Sequence, residues 1–184
     1  MAGLAIGAPA LPAAADEDRA PYAQVLGGVT VGEALRFNNP YRLHAPLGST
    51  AESVSLAAPY LDVAVAGLVG RPWGAQHGVW VHGSFALSGI SQAVLAPSYV
   101  FLWRFPRGHS LYGRVGPSIV LGPDVNVGAE LAGGGIVMLT GAIGLTAELN
   151  GSAFYGAATR EVSATLIPLL ALQAGVVMSW EALP

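Results

Sequence analysis

The stretch Leu95 to Phe105, LAPSYVFLWRF, decides the fold. Every second residue from Leu95 onward is apolar or aromatic: Leu95, Pro97, Tyr99, Phe101, Trp103 and Phe105. Ser98 and Arg104 fall on the alternate positions. A helix repeats every 3.6 residues and gives no such split, whereas a strand sends successive side chains to opposite faces. An aromatic row on one face and an arginine on the other reads as a strand standing between an apolar and a polar medium.

The same period of two extends in both directions. Val79, Val81, Phe85 and Leu87 oppose His82, Ser84 and Ser88. Leu111, Val115, Ile119 and Leu121 oppose Ser110, Arg114 and Ser118. Val125, Val127 and Leu131 oppose Asn126 and Glu130, and Val137, Leu139, Ile143, Leu145 and Leu149 oppose Thr140, Thr146 and Glu148. The last run sets Leu166, Leu170, Leu172, Val176, Met178 and Trp180 against Gln173, Ser179 and Glu181. Upstream, Leu35, Phe37, Tyr41 and Leu43 oppose Arg36, Asn38 and Arg42. Leu61, Val63 and Val65 oppose Asp62, and the stretch before Pro59 is in the other phase, which predicts a bulge there. Eight strands follow, over 33–45, 52–68, 78–90, 93–105, 110–121, 124–133, 136–150 and 162–182. Gly122-Pro123, Gly133-Gly134-Gly135 and Pro106-Arg107-Gly108-His109 supply turn chemistry between them. The longest loops are expected over 69–77 and 151–161. No crossover helix is visible, so neighbours are antiparallel, and closure removes edges this apolar.

Composition agrees with that reading. Of 184 residues, 53% are hydrophobic and 10% charged, against about 25% charged in a soluble domain. The chain cannot cover a globular surface with charge, and it lacks the high net charge of a disordered one. It has no cysteine, and all eight basic residues are arginine. This excludes thiolate nucleophiles, disulfides, Cys-ligated metals and lysine Schiff bases. A net charge of −3 with scattered arginines offers no surface for nucleic acid.

Residues 1–15, MAGLAIGAPALPAAA, resemble the end of a secretory signal peptide, with Ala13-Ala14-Ala15 as a small-residue cleavage pattern. The expected organisation is a leader remnant over 1–15, a periplasmic lead-in over 16–32 and a barrel over 33–184. A polytopic α-helical membrane protein is the rival, since Leu131 to Ala147 and Val162 to Trp180 carry no charge. Against it, the apolar stretches are rich in Gly, Ser and Thr, and Pro97, Pro117 and Pro168 interrupt them. They also lack flanking basic clusters.

The leader remnant, the absence of cysteine, the alternation and the aromatic clusters make the chain resemble a small bacterial outer-membrane β-barrel. The resemblance covers about residues 30–184 and is architectural. It implies an all-β, closed, antiparallel up-and-down transmembrane barrel in the outer membrane, with Tyr41, Tyr99, Phe101, Trp103, Phe105 and Trp180 in the interfacial girdles.

The inward face then holds Arg36, Arg42, Asp62, Arg104, Arg114, Glu130, Glu148 and Glu181, a set able to neutralise itself. An eight-stranded barrel is just wide enough for its side chains to fill it, and buried charges must be paired. The expected role is structural, a plug of ion pairs, or a narrow pore for an ion or small solute. Arg114 and Glu130 are expected directly opposite each other across the Gly122-Pro123 turn. No motif for a metal, cofactor or phosphate is present, and His44, His77, His82 and His109 are well separated. His82-Gly83-Ser84 places a base and a hydroxyl on one strand face, the minimum for an acyl-transfer nucleophile. Barrel lipid A deacylases use a His-x-Ser pair of this kind, so a lipid deacylase is the enzymatic alternative. The strand parity points the pair into the lumen, where a hydrogen-bonded role is expected instead.

Overall fold

The computed structural model describes residues 22–37, 46–47, 52–89, 91–122, 125–156 and 165–183. Ten strands run in chain order: β1 Tyr22–Phe37, β2 Pro46–Leu47, β3 Glu52–Leu56, β4 Tyr60–Gly70, β5 Gly74–Ala86, β6 Ala93–Arg104, β7 Ser110–Gly122, β8 Asn126–Met138, β9 Ile143–Gly156 and β10 Thr165–Leu183. Eight of them, β1 and β4 to β10, form an antiparallel meander, and β10 pairs back onto β1 to close it. The cylinder therefore has no free edge. No helix occurs among the described residues, which removes the polytopic helical alternative.

The alternation sets which face each strand buries. On β7, Ser110, Tyr112, Arg114, Ser118 and Val120 are buried while Leu111, Val115 and Leu121 are exposed. The other strands repeat this, with Val63 and Val65, Tyr99 and Trp103, Val127 and Leu131, and Leu170 and Leu172 all outside. The barrel is thus inverted relative to a water-soluble domain: its apolar residues form the outer belt and its charges the core. Only a lipid-like medium matches such a surface. Among the described outward positions of the eight barrel strands, Glu33 on β1 and His77 on β5 are the carboxylate and imidazole exceptions.

Four boundaries differ from the sequence expectation. Among the described residues the first wall strand starts at Tyr22, so residues 22–32 belong to β1 and not to a lead-in. That segment carries no charge before Glu33, and Gly27, Gly28 and Gly32 dilute its alternation. Gly133-Gly134-Gly135 lies inside β8 rather than in a turn. A Cβ on Gly134 would come within 2.6 Å of the Ala147 carbonyl oxygen and the Tyr112 ring, so glycine is there for close approach. The turn falls instead at residues 139–142, where the Thr140 hydroxyl accepts from the amides of Ala142 (3.2 Å) and Ile143 (2.9 Å). The expected 69–77 loop shrinks to Arg71, Pro72 and Trp73 because β5 starts at Gly74. In the expected 151–161 loop, residues 151–156 complete β9; the remainder lies outside the described residues, as do the leader remnant, Tyr41, Arg42 and His44.

The predicted bulge before Pro59 is present. Gly32 pairs with Tyr60 and Leu35 with Leu56, so two residues of β1 face three of the other strand. One wall seam is broken by chemistry. On β6 and β7 the register runs Leu95 to Ile119 and Tyr99 to Val115, which sets Pro97 across from Pro117 with no ladder pairing between. Neither proline has an N–H to donate.

Candidate functional site

Seven strands place polar side chains at one level of the lumen. β4 supplies Asp62, β5 His82 and Ser84, β6 Ser98, β7 Arg114, β8 Glu130, β9 Glu148 and β10 Gln173. Asp62, His82, Arg114, Glu130 and Glu148 are all at most 4% exposed. Arg114 is the hub. Its Nε and Nη2 donate to the two oxygens of Glu148 at 2.9 and 2.6 Å, a bidentate fork. Its Nη1 donates to Glu130.

His82 lies between Asp62 and the same Glu130, with Nδ1 2.6 Å from Asp62 and Nε2 3.0 Å from Glu130. As an imidazolium it donates to both. Hydroxyls and an amide complete the shells: Ser84 donates to Asp62 (2.7 Å), Ser98 to Glu130 (2.7 Å) and Gln173 to Glu148 (2.7 Å). Such dense pairing is what a buried charge cluster requires, since each ion left unpaired would carry its full desolvation penalty.

Toward the end that carries the chain termini, the lumen turns apolar. Leu26, Ala66, Leu68, Trp80, Val100, Leu102, Tyr112, Ile136 and Val177 form one buried cluster. Trp80 and Tyr112 stack at 5.4 Å between centroids, 15° from parallel. Below it a second polar layer closes the mouth. Gln24 bonds Gln76, whose amide donates to the Arg71 carbonyl at 2.8 Å. Tyr22 donates to Glu181 at 2.8 Å, Arg104 lies 3.3 Å from Glu181, and its guanidinium sits 5.1 Å from the Trp73 ring centroid. One small cavity of about 10 Å³ lies here, lined by Gln24, Leu26, Leu102 and Arg104 among others.

The expected lumen charges are therefore divided. Asp62, Arg114, Glu130 and Glu148 converge; Arg104 and Glu181 form a separate pair at the mouth, with Glu181 half exposed. Arg36 faces inward at the far end of β1, and Arg42 is outside the described residues. Arg114 and Glu130 pair, but not as direct opposites: Arg114 faces Ala132, and Glu130 faces Gly116, two residues further along. The guanidinium reaches diagonally, as long side chains do.

The sequence reading had His82 in the lumen but not as a bridge between carboxylates, and it missed Gln24 and Gln76. Their inward parity was the available signal. The deacylase pairing does not form: Ser84 donates to Asp62 and His82 faces Asp62 and Glu130. Among the described residues no group of His, Asp and Glu has the arrangement to hold a metal. Tyr99, Phe101, Trp103, Phe105 and Trp180 all lie exposed on the outer face, joined by Phe85 and Tyr155.

A closed eight-stranded antiparallel barrel with an apolar exterior and an ion-paired interior is the class of protein these observations define. The chain is similar to several solved structures. Neisserial surface protein A (NspA) superposes with a TM-score of 0.50 at 12% identity, over 85% of this chain and 96% of that one. Ail, the attachment invasion locus protein of Yersinia pestis, gives 0.42 at 10% identity over 84% and 98%. The outer membrane protein OprG from Pseudomonas aeruginosa gives 0.40 at 13% over 88% and 96%. No protein-family model and no curated protein sequence matches the chain.

Proposed function

We propose that this protein is an integral outer-membrane barrel whose role is structural and which does not conduct. The outer belt provides the membrane anchor, and the partner it requires is the bilayer itself. The end bearing the termini and the turns at 71–73, 105–109 and 139–142 faces the periplasm, as short turns do in such barrels. The exposed aromatics then serve as interfacial anchors. One observation carries the non-conducting reading: the lumen is filled twice in series, by the Arg114 cluster and by the Leu26–Trp80–Leu102 layer. Ions or solutes would have to displace both, and the second offers them no charged group.

The test combines two measurements on refolded protein. Heat-modifiable gel mobility reports a closed barrel, and planar-bilayer recording reports conduction. The expected result is a mobility shift without stepwise currents. Regular single-channel steps from the intact protein would favour the narrow pore and overturn the plugged reading; a purified sample without the mobility shift would overturn the barrel itself.

A further inference from the structure

Resting on the membrane reading, we propose a binding site for one anionic glycerophospholipid on the outer wall, where β7 and β8 meet the β6–β7 turn. The turn is tightly built: the Phe105 amide donates to the His109 carbonyl at 2.8 Å, the Gly108 amide to that of Phe105 at 2.9 Å, and Gly108 takes φ 80°. It overhangs an open cleft of about 660 Å³ lined by Phe105, Arg107, His109, Leu111, Gly135 and Val137 among others, none of them acidic. That volume falls in the range of small-ligand clefts.

The cleft continues up the wall as a furrow. Gly113 pairs with Gly133, so bare backbone forms the floor there, and Leu111 pairs with Gly135 below it. Phe101 stands beside Gly113 on one side, and Leu149 beside Gly133 on the other; both are exposed. The fold does not itself demand these glycines. A Cβ on Gly113 or Gly133 would meet nothing closer than 3.8 Å, whereas one on the neighbouring inward Gly134 would clash at 2.6 Å. An apolar furrow that the packing does not require suits an acyl chain lying along the barrel.

The head of the furrow supplies the matching charge. Arg107 is exposed at the rim and presents the planar fork that suits phosphate oxygens. His109 lines the same cleft, and its buried Nδ1 has no partner among the described residues. A phosphate at the interface and an acyl chain along Gly113–Gly133 fit one molecule of glycerophospholipid. The periplasmic orientation sets it in the leaflet built of such lipids.

Native mass spectrometry of the full barrel tests this, after equilibration with equal amounts of phosphatidylglycerol and phosphatidylcholine in micelles. One retained phosphatidylglycerol per barrel is expected, favoured at least fivefold over phosphatidylcholine. Arg107→Gln should abolish that preference, and Gly133→Leu should lose retention of both lipids. Equal retention of the two lipids by the native protein, a statistical spread of adducts, or an unchanged preference in Arg107→Gln would overturn the site. Heat-modifiable mobility is recorded for each sample. Its loss in the native protein would refute the membrane barrel rather than the lipid site; its loss in Gly133→Leu alone leaves Arg107→Gln to decide, since that side chain is an exposed turn residue.

Discussion

The two fillings of the lumen obstruct the same cylinder by different physics. The Arg114 cluster is held by directional bonds among charges that cannot be separated without loss, while the Leu26–Trp80–Leu102 layer is held by contact area. In the first, removing one member strands the others; in the second, removing one member leaves a hole. The contrast teaches that a barrel interior can be closed by specificity at one level and by volume at another.

The largest effect should come from Arg114→Ala, which leaves Glu148 and Glu130 buried without their guanidinium. A loss of about 3–5 kcal/mol is expected, read as a drop in the urea midpoint of refolding followed by tryptophan fluorescence. Adding Glu148→Met to Arg114→Met should recover a large part of it, because both ends of the fork are then apolar. Without that recovery the two levels would not differ in kind. Leu102→Ala, in the apolar layer, should cost about 2–5 kcal/mol through its cavity, and pairing it with a second truncation there should give no comparable rescue. Gly134→Ala and Gly133→Ala then compare the inside of the wall with the outside at adjacent residues. The inward change should destabilise by about 1–3 kcal/mol through overpacking, and the outward one should stay within about 0.5 kcal/mol. Arg104→Gln, whose partner Glu181 is half exposed at the mouth, should move stability by less than about 1 kcal/mol. A larger effect would show that the mouth pair belongs with the buried cluster.

The sequence carried the architecture because lipid outside and charge inside force opposite demands on adjacent residues. Arg104, Arg114, Glu130 and Glu148 each announced their face by sitting between apolar neighbours. Where that contrast faded, the reading failed. β1 opens on Gln24, Leu26, Gly28 and Thr30, an inward row that is hardly more polar than the valines opposite it. The three consecutive glycines of β8 looked like a turn because glycine is ordinary turn chemistry; the middle one, Gly134, is set by the Tyr112 ring on a different strand, which no local pattern reveals. Thr140, whose hydroxyl caps the true turn, was the better local signal. The site was legible as a list of inward charges but not as a partition. Which carboxylate meets Arg114 depends on register, and a two-residue offset across β7 and β8 moved Glu130 from opposite to diagonal.

The facing prolines of β6 and β7 have a mechanical corollary. A closed cylinder shares any load around its circumference, and it yields where its stitching is sparsest. With Pro97 and Pro117 set against each other, breathing of the wall should begin at that seam. Deuterium should reach the amides of Tyr99 and Val115, which flank the facing prolines, before those at the same height on the opposite side, where β10 is laced continuously to β1.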